Sequence, residues 1–457
     1  MMKRLFGTDG IRGRAGHYPT TPEVALALGK AIGTILRREP GKHRVVVGKD
    51  TRRSCYFFEN AIIAGLCSMG IDTLMLGPIP TPGVAFITVA YRASAGIMIS
   101  ASHNPYYDNG IKIFDSQGYK LSDAIEEELE HIILTESFGP MPEDYEIGRN
   151  QRIDDVAGRY IEYVKATIPR GESLKGMKIF LDCAHGATYK VAPLAFWELG
   201  AEVIVQGNEP DGLNINRHCG AIHPENLQKG VLECQAHVGL AFDGDGDRLQ
   251  MVDEKGQIVD GDQIMAICAK YLKDQGKLTN NMVVLTAMSN LGLINYLKAE
   301  GIEPVIAKVG DRNVIHQMLV NQAALGGEQS GHLILKEHST TGDGIIAGLQ
   351  VLNIMKQSGQ TLSELAARFQ KYPQVLINVP VAKKTPLNEI KKVQQIIREA
   401  ETLLSGEGRV FVRYSGTENL CRVMVEGKEQ GLIEILSKSI AKVIESELNV
   451  CAGFRVT

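Results

Sequence analysis

Asp243-Gly244-Asp245-Gly246-Asp247-Arg248 sets three carboxylates at alternate positions, directly after the apolar run Val238-Gly239-Leu240-Ala241-Phe242. The run reads as a buried strand, so the aspartates stand at a strand end. Glycines between them let the backbone turn tightly enough for the carboxylates to converge. Converging anions repel one another strongly, and a hard divalent cation with oxygen ligands relieves that repulsion. A solvated acidic turn is the plain alternative. The spacing also resembles a calcium loop, with Glu254 at its twelfth position, but Arg248 falls at the sixth, where such a loop needs glycine. Three carboxylates completed by a phosphate oxygen suit magnesium better.

Ser100-Ala101-Ser102-His103-Asn104-Pro105 follows another strand-like run, Gly96-Ile97-Met98-Ile99. Small residues and Pro105 mark an exposed turn. Taken alone, Ser102 beside His103 is turn chemistry, and no G-x-S-x-G elbow surrounds it. Phe6-Gly7-Thr8-Asp9-Gly10-Ile11-Arg12-Gly13 is a glycine-rich turn in which backbone N–H groups and Arg12 suit an anion. Asn109-Gly110-Ile111-Lys112-Ile113-Phe114 is a turn entering a strand, with Lys112 as its only cation; a crowded lysine serves as acid or base, while a surface lysine is the ordinary case. In Gly327-Glu328-Gln329-Ser330-Gly331-His332, Glu328 and Ser330 suit sugar hydroxyls, and His332 is a donor or a structural histidine. Arg413-Tyr414-Ser415-Gly416-Thr417-Glu418-Asn419, with Arg422, gathers two arginines, two hydroxyls and a glycine, a composition suited to phosphate.

The elements that must position these groups repeat. Val45–Gly48, Lys178–Leu181 and Met282–Leu285 each begin a strand, loop, helix, glycine, strand sequence. Short Val/Ile-rich strands belong in parallel sheets, a helix supplies the crossover, and glycine supplies the left-handed residue that ends the helix. Three βαβ units follow. From Tyr372-Pro373 onward the pattern changes to strands at 375–381, 410–414 and 422–426 with helices at about 387–404 and 431–448, an α+β arrangement.

The 457 residues exceed what one core holds and call for three or four domains. A net charge of −4 gives no basic face for nucleic acid. Eight scattered cysteines without a C-x-x-C pair give no disulfide framework. With no apolar stretch behind the first basic residues and no run of about 18 apolar residues, the expectation is a soluble cytoplasmic protein.

Taken in order, these motifs resemble the α-D-phosphohexomutase family, and the resemblance runs from Phe6 into the C-terminal part. It implies three repeated mixed α/β domains, at 1–150, 151–255 and 256–370, and a smaller C-terminal α+β domain at 371–457, around a central cleft. By position, it implies that Ser102 carries a phosphoryl group and that Asp243, Asp245 and Asp247, with the phosphoserine, bind one magnesium ion. Arg12 and Lys112 then flank the reacting phosphate, with Lys112 as general acid–base and His103 counted among the catalytic residues. Arg248, Glu328, Ser330 and His332 fall to substrate binding; Arg413, Ser415, Gly416, Thr417 and Arg422 grip the non-reacting phosphate. Asn419 stands where the family has proline. Phe6–Gly13, Val309-Gly310-Asp311-Arg312 and Gly327–His332 resemble the bacterial branch that acts on hexosamine phosphates. The implied partner is a small hexosamine phosphate, with hexosamine 1,6-bisphosphate as intermediate and activator, no nucleic acid and no membrane; a homodimer is the assembly allowed for.

Overall fold

Strand Arg44–Lys49 is buried over its last five residues, as a Val-rich strand in the middle of a parallel sheet must be. Its parallel neighbours are Asp72–Pro78 and Ala95–Ile99. Helix Cys55–Ser68 makes the first crossover and ends before Gly70, whose φ is +79°. Ala95–Ile99 then leads through a loop into the antiparallel strand Asp108–Asp115.

This arrangement recurs twice. Lys178–Asp182 lies between the parallel strands Glu202–Gln206 and Val238–Phe242, and the latter is followed by antiparallel Leu249–Asp253. Met282–Thr286 lies between Glu303–Ala307 and Leu325–Gly327, followed by antiparallel Leu333–Leu335. The repetition therefore reaches beyond the βαβ units legible in the sequence, to a fourth, antiparallel strand in each. Its consequence is positional. The loop joining the third strand to its antiparallel partner carries Ser102 in the first repeat, the three aspartates in the second and Glu328–His332 in the third. In the first sheet, Ile11–Arg14 adds on beside Asp108–Asp115 and sets Arg12 opposite Gly110.

The computed structural model describes residues 5–7, 9–415 and 419–448, which form two units. One comprises Met1–Met288 with Glu300–Arg368, the other Ser289–Ala299 with Phe369–Thr457. The second unit is a three-stranded antiparallel sheet in the order Gln374–Pro380, Leu420–Gly427, Gly408–Tyr414, with helices Lys391–Leu403 and Gln430–Leu448. Its core includes Val423, Val425, Ile433 and Ile440. The crossover helix of the third repeat, Leu291–Ala299, belongs to this unit: the Leu291 N–H donates to Glu426 (2.9 Å) and the Asn290 amide to the Tyr372 carbonyl (2.9 Å). The helix expected from 387 starts at Lys391, because 387–389 form a 3-10 turn behind Pro386. Among the described residues, no helix is long and apolar enough to cross a membrane.

Helix Gly344–Ser358 shows how buried charge is managed here. Asp343 caps it, accepting the N–H groups of Ile345 and Ile346 (both 3.0 Å) and the Tyr160 hydroxyl (2.7 Å). Burial nevertheless lifts its pKa to about 6. A carboxyl raised in the folded state binds its proton more tightly there than in the unfolded chain, so its contribution to stability falls as pH rises from about 4 to 6. Asp343→Asn keeps the shape and removes the charge. Urea unfolding is expected to show wild type losing on the order of 2–3 kcal/mol relative to the variant across that window; parallel pH curves would refute the assignment.

Candidate functional site

Ser102 is buried at 2% exposure, not on an exposed turn as its neighbours imply, because loops of the second repeat cover it. Its φ is +53°. Its N–H donates to Ser100 Oγ (2.8 Å), and its own Oγ donates to Asp243 Oδ2 (2.5 Å). A Cβ on residue 244 would lie 2.5 Å from the Ser102 carbonyl oxygen, so only glycine fits where the two loops meet. His103 Nδ1 stands 3.3 Å from Ser102 Oγ. Burial, then the charges of Arg248 and Arg12, lowers the His103 pKa to about 4, so the ring is neutral at neutral pH.

Asp243, Asp245 and Asp247 are all buried, and each offers an oxygen within 4.8 Å of the others'. Burial, followed by the charges of Asp247 and Asp245, pushes Asp243 well above the usual carboxylate range. Burial also acts upward on Asp247, but Lys112, then His332 and Arg248, outweigh it and hold the group well below that range. Asp245 Oδ1 and Asp247 Oδ1 are buried and accept no hydrogen bond. Buried carboxylate oxygens left bare are costly, and a cation bound to oxygen would satisfy both. The residues fit a hard divalent ion. The calcium-loop alternative fails here: Glu254 accepts the Ser363 hydroxyl at 2.5 Å and belongs to a helix cap. Asp245→Asn is expected to raise the magnesium concentration that half-saturates thermal stabilisation by about tenfold or more; an unchanged titration would remove Asp245 from the metal set.

Lys112, 2% exposed, sits against this cluster and donates to Asp245 Oδ2 (2.8 Å) and Asp247 Oδ2 (3.0 Å). Burial disfavours its charge, yet Asp245, Asp247 and Asp9 keep the ammonium's pKa well above its ordinary value. Thr81 Oγ donates to the same Asp245 oxygen (2.5 Å). Arg12 donates to Asp9 Oδ2 (2.8 Å), and Lys112 lies 3.7 Å from that oxygen. Lys120, part-buried, bridges Asp9 Oδ1 (2.5 Å) and Asp311. Thr81, Lys120 and Asp311 were not singled out as site residues from sequence; their roles come from contacts across 164, 111 and 191 positions that no local pattern marks.

The third loop joins the second through the Leu249 N–H, which donates to the Gly331 carbonyl (3.0 Å). His332 Nδ1 lies 3.7 Å from Asp247 Oδ2, and its Nε2 accepts the Gly342 N–H (3.0 Å), which places the ring proton on Nδ1, facing the carboxylate. Glu328 accepts the Gly310 N–H (2.9 Å), and Ser330 is exposed. The Arg248 N–H donates to Asp243 Oδ1 (3.2 Å). Thus Ser102, His103, Lys112, the aspartates, Arg12, Arg248 and His332 form one connected cluster.

In the second unit, Arg413 and Arg422 pair directly across neighbouring strands. Ser415 is buried; its N–H donates to the Leu420 carbonyl (2.8 Å), and its carbonyl accepts from Lys384 (2.7 Å). Gly416 and Thr417 lie outside the described residues.

The geometry has counterparts among known proteins. Models of the phosphoglucomutase/phosphomannomutase α/β/α domains I, II and III match residues 3–140, 158–256 and 260–372, and that of the C-terminal domain matches 376–443. A protein of Chlamydia trachomatis serovar D named phosphoglucosamine mutase is 59% identical over 448 residues, 98% of each chain. A crystal structure of a phosphoglucomutase/phosphomannomutase family protein from Burkholderia thailandensis superposes with a TM-score of 0.82 at 24% identity, covering 99% of both chains. The structure of Aspergillus fumigatus N-acetylphosphoglucosamine mutase in complex with GlcNAc-6P and magnesium gives a TM-score of 0.67 at 17% identity, over 97% of this chain and 96% of that one. The matched domains, in this order over nearly the whole chain, make this protein a member of the phosphoglucomutase/phosphomannomutase family.

Proposed function

We propose that the protein is an isomerase that interconverts glucosamine 6-phosphate and glucosamine 1-phosphate by passing a phosphoryl group through Ser102. The observation that carries this reading is the buried Ser102 hydroxyl held 2.5 Å from Asp243, in the cluster that also holds Lys112. The name of the chlamydial relative, at 59% identity over 98% of both chains, supports the choice of sugar.

Each cycle makes two transfers. Phospho-Ser102 gives its phosphoryl group to sugar O1: the Oγ–P bond breaks, an O1–P bond forms, and the product is a 1,6-bisphosphate. After the sugar turns round, Ser102 Oγ attacks the 6-phosphate, the O6–P bond breaks, and glucosamine 1-phosphate is left. One proton moves each time from the attacking hydroxyl to the departing oxygen. Lys112, an ammonium here, relays it: in the first transfer it protonates Ser102 Oγ and takes the proton of O1, and in the second it protonates O6 and takes the proton of Ser102 Oγ. His103 stays neutral, so it adds no charge beside the serine. Arg12 and Arg248 offset charge on the moving group, since phosphoryl transfer depends chiefly on alignment and charge neutralisation. Magnesium, held by Asp243, Asp245, Asp247 and the phosphoserine, would supply further charge neutralisation. Glu328 and Ser330 are assigned to the sugar; His332, buried with Nδ1 toward Asp247 and Nε2 on the Gly342 N–H, supports the aspartate cluster instead. Arg413 and Arg422 are assigned to the phosphate that is not reacting. The reading places the protein in the cytoplasm.

Parallel kinetics on glucosamine, glucose and mannose 6-phosphates test it. The expected result is a kcat/KM for glucosamine 6-phosphate at least about tenfold above the other two. Equal or better turnover of glucose or mannose 6-phosphate would overturn the amino-sugar assignment and leave the phosphoryl chemistry standing.

A further inference from the structure

The turn that carries Ser102 is gripped from behind. Arg52 is fully buried, and its guanidinium donates to three carbonyls of that turn: Ser102 (2.8 Å), Asn104 (2.8 Å) and Pro105 (2.5 Å). Asn216, from the second repeat, donates its amide to two of the same carbonyls, Ser102 (2.8 Å) and Asn104 (3.0 Å). Both holders are themselves fixed. Arg52 Nε donates to Asp50 (2.9 Å), which also accepts the Ser100 hydroxyl (2.6 Å) and the Arg52 N–H (2.8 Å). The residues on either side of Arg52 tie to the second repeat: the Thr51 hydroxyl donates to the His185 carbonyl (2.6 Å) and the Arg53 N–H to the Gly212 carbonyl (3.0 Å). The Asn216 N–H donates to the Ala184 carbonyl (2.9 Å).

This grip exceeds what neutralising Asp50 requires. A lysine would balance that charge, but only the planar fork of an arginine reaches three carbonyls at once. The turn needs restraint, because Ser102 holds a φ of +53°, a conformation disfavoured for residues with a Cβ. Without the donors, the Ser102 carbonyl would be free to rotate and the Oγ would swing away from Asp243. A serine that must both give and regain one phosphoryl group tolerates little such drift.

We propose that Arg52 and Asn216 are positioning residues for the phosphoryl carrier: by holding the carbonyls of its turn they aim Ser102 Oγ at the aspartate cluster and set the rate at which it gains and gives the phosphoryl group. The inference rests on the reading of Ser102 as that carrier. It concerns two residues that touch no substrate and act only through the serine loop.

The test uses the full-length protein as wild type, Asn216→Gly and Arg52→Lys. Asn216 has a φ of +57°, so glycine keeps its backbone and removes only the amide. Dephosphorylated enzyme is mixed with glucosamine 1,6-bisphosphate, and phosphate gain is followed by intact mass, alongside kcat and KM for glucosamine 6-phosphate and the melting temperature. Asn216→Gly is expected to gain phosphate about tenfold more slowly, with kcat falling in step and KM changing less than about twofold, and Arg52→Lys to slow it by about a hundredfold. If the variants gain phosphate at the wild-type rate and only melt earlier, or if KM rises while kcat holds, the positioning role is wrong. Should Arg52→Lys fail to fold, Asn216→Gly decides alone. Wild type that gains no phosphate on Ser102 would overturn the carrier reading itself, and the inference with it.

Discussion

Ser102→Ala is expected to lower the turnover of glucosamine 6-phosphate by about 10³-fold or more and to abolish the single phosphate otherwise seen in the intact-protein mass. The magnitude follows from losing the nucleophile, which no neighbouring group replaces: His103 stands 3.3 Å from the Oγ, but the Oγ itself is the atom placed 2.5 Å from Asp243. The fold should survive. Alanine fits the same space, and the Arg52 and Asn216 bonds run to backbone carbonyls. A melting temperature within a few degrees of wild type, together with the loss of activity, separates chemistry from unfolding. Full activity in this variant would end the account.

Lys112→Met should have two effects of different origin. Methionine approximates the length of lysine and removes its charge. Asp245 Oδ2 keeps the Thr81 donor, but Asp247 Oδ2 loses a donor at 3.0 Å, and the two carboxylates face each other with less positive charge between them. Removing one partner of a buried ion pair costs about 3–5 kcal/mol, so the metal-free variant should melt well below wild type. Magnesium should recover part of that loss, giving a larger thermal shift than in wild type. Catalysis should fall by about 10²–10⁴-fold, the usual worth of a positioned proton donor. A variant with normal metal-dependent melting would show that Lys112 and the cation do not share the aspartates.

The scaffold was legible because buried parallel strands are uninterrupted apolar runs. Val45–Gly48, Lys178–Leu181 and Met282–Leu285 each lie within an observed strand, and the glycines after the crossover helices mark their ends. The aspartate loop was legible for a related reason: alternating carboxylates behind such a strand have few other uses. Burial of the loops was not. Ser102 sits in residues typical of a surface turn, and what covers it comes from Gly244 and Asn216, more than a hundred positions away. Arg52 reads as one basic residue after a strand, and Lys120 as one more lysine past a turn. Their meaning lies in contacts that only the assembled repeats create. Helix Leu291–Ala299 continues the third repeat in sequence but belongs with the second unit, because its partners are Tyr372 and Glu426. Nothing in its own periodicity names them.

The most direct test follows the phosphoryl group itself. Enzyme carrying radiolabelled phosphate on Ser102 is mixed with unlabelled glucosamine 6-phosphate and quenched within a single turnover. The account predicts that label leaves the protein and appears in glucosamine 1,6-bisphosphate and then at the 1-position of glucosamine 1-phosphate. Product formed while the label stays on Ser102 would contradict it.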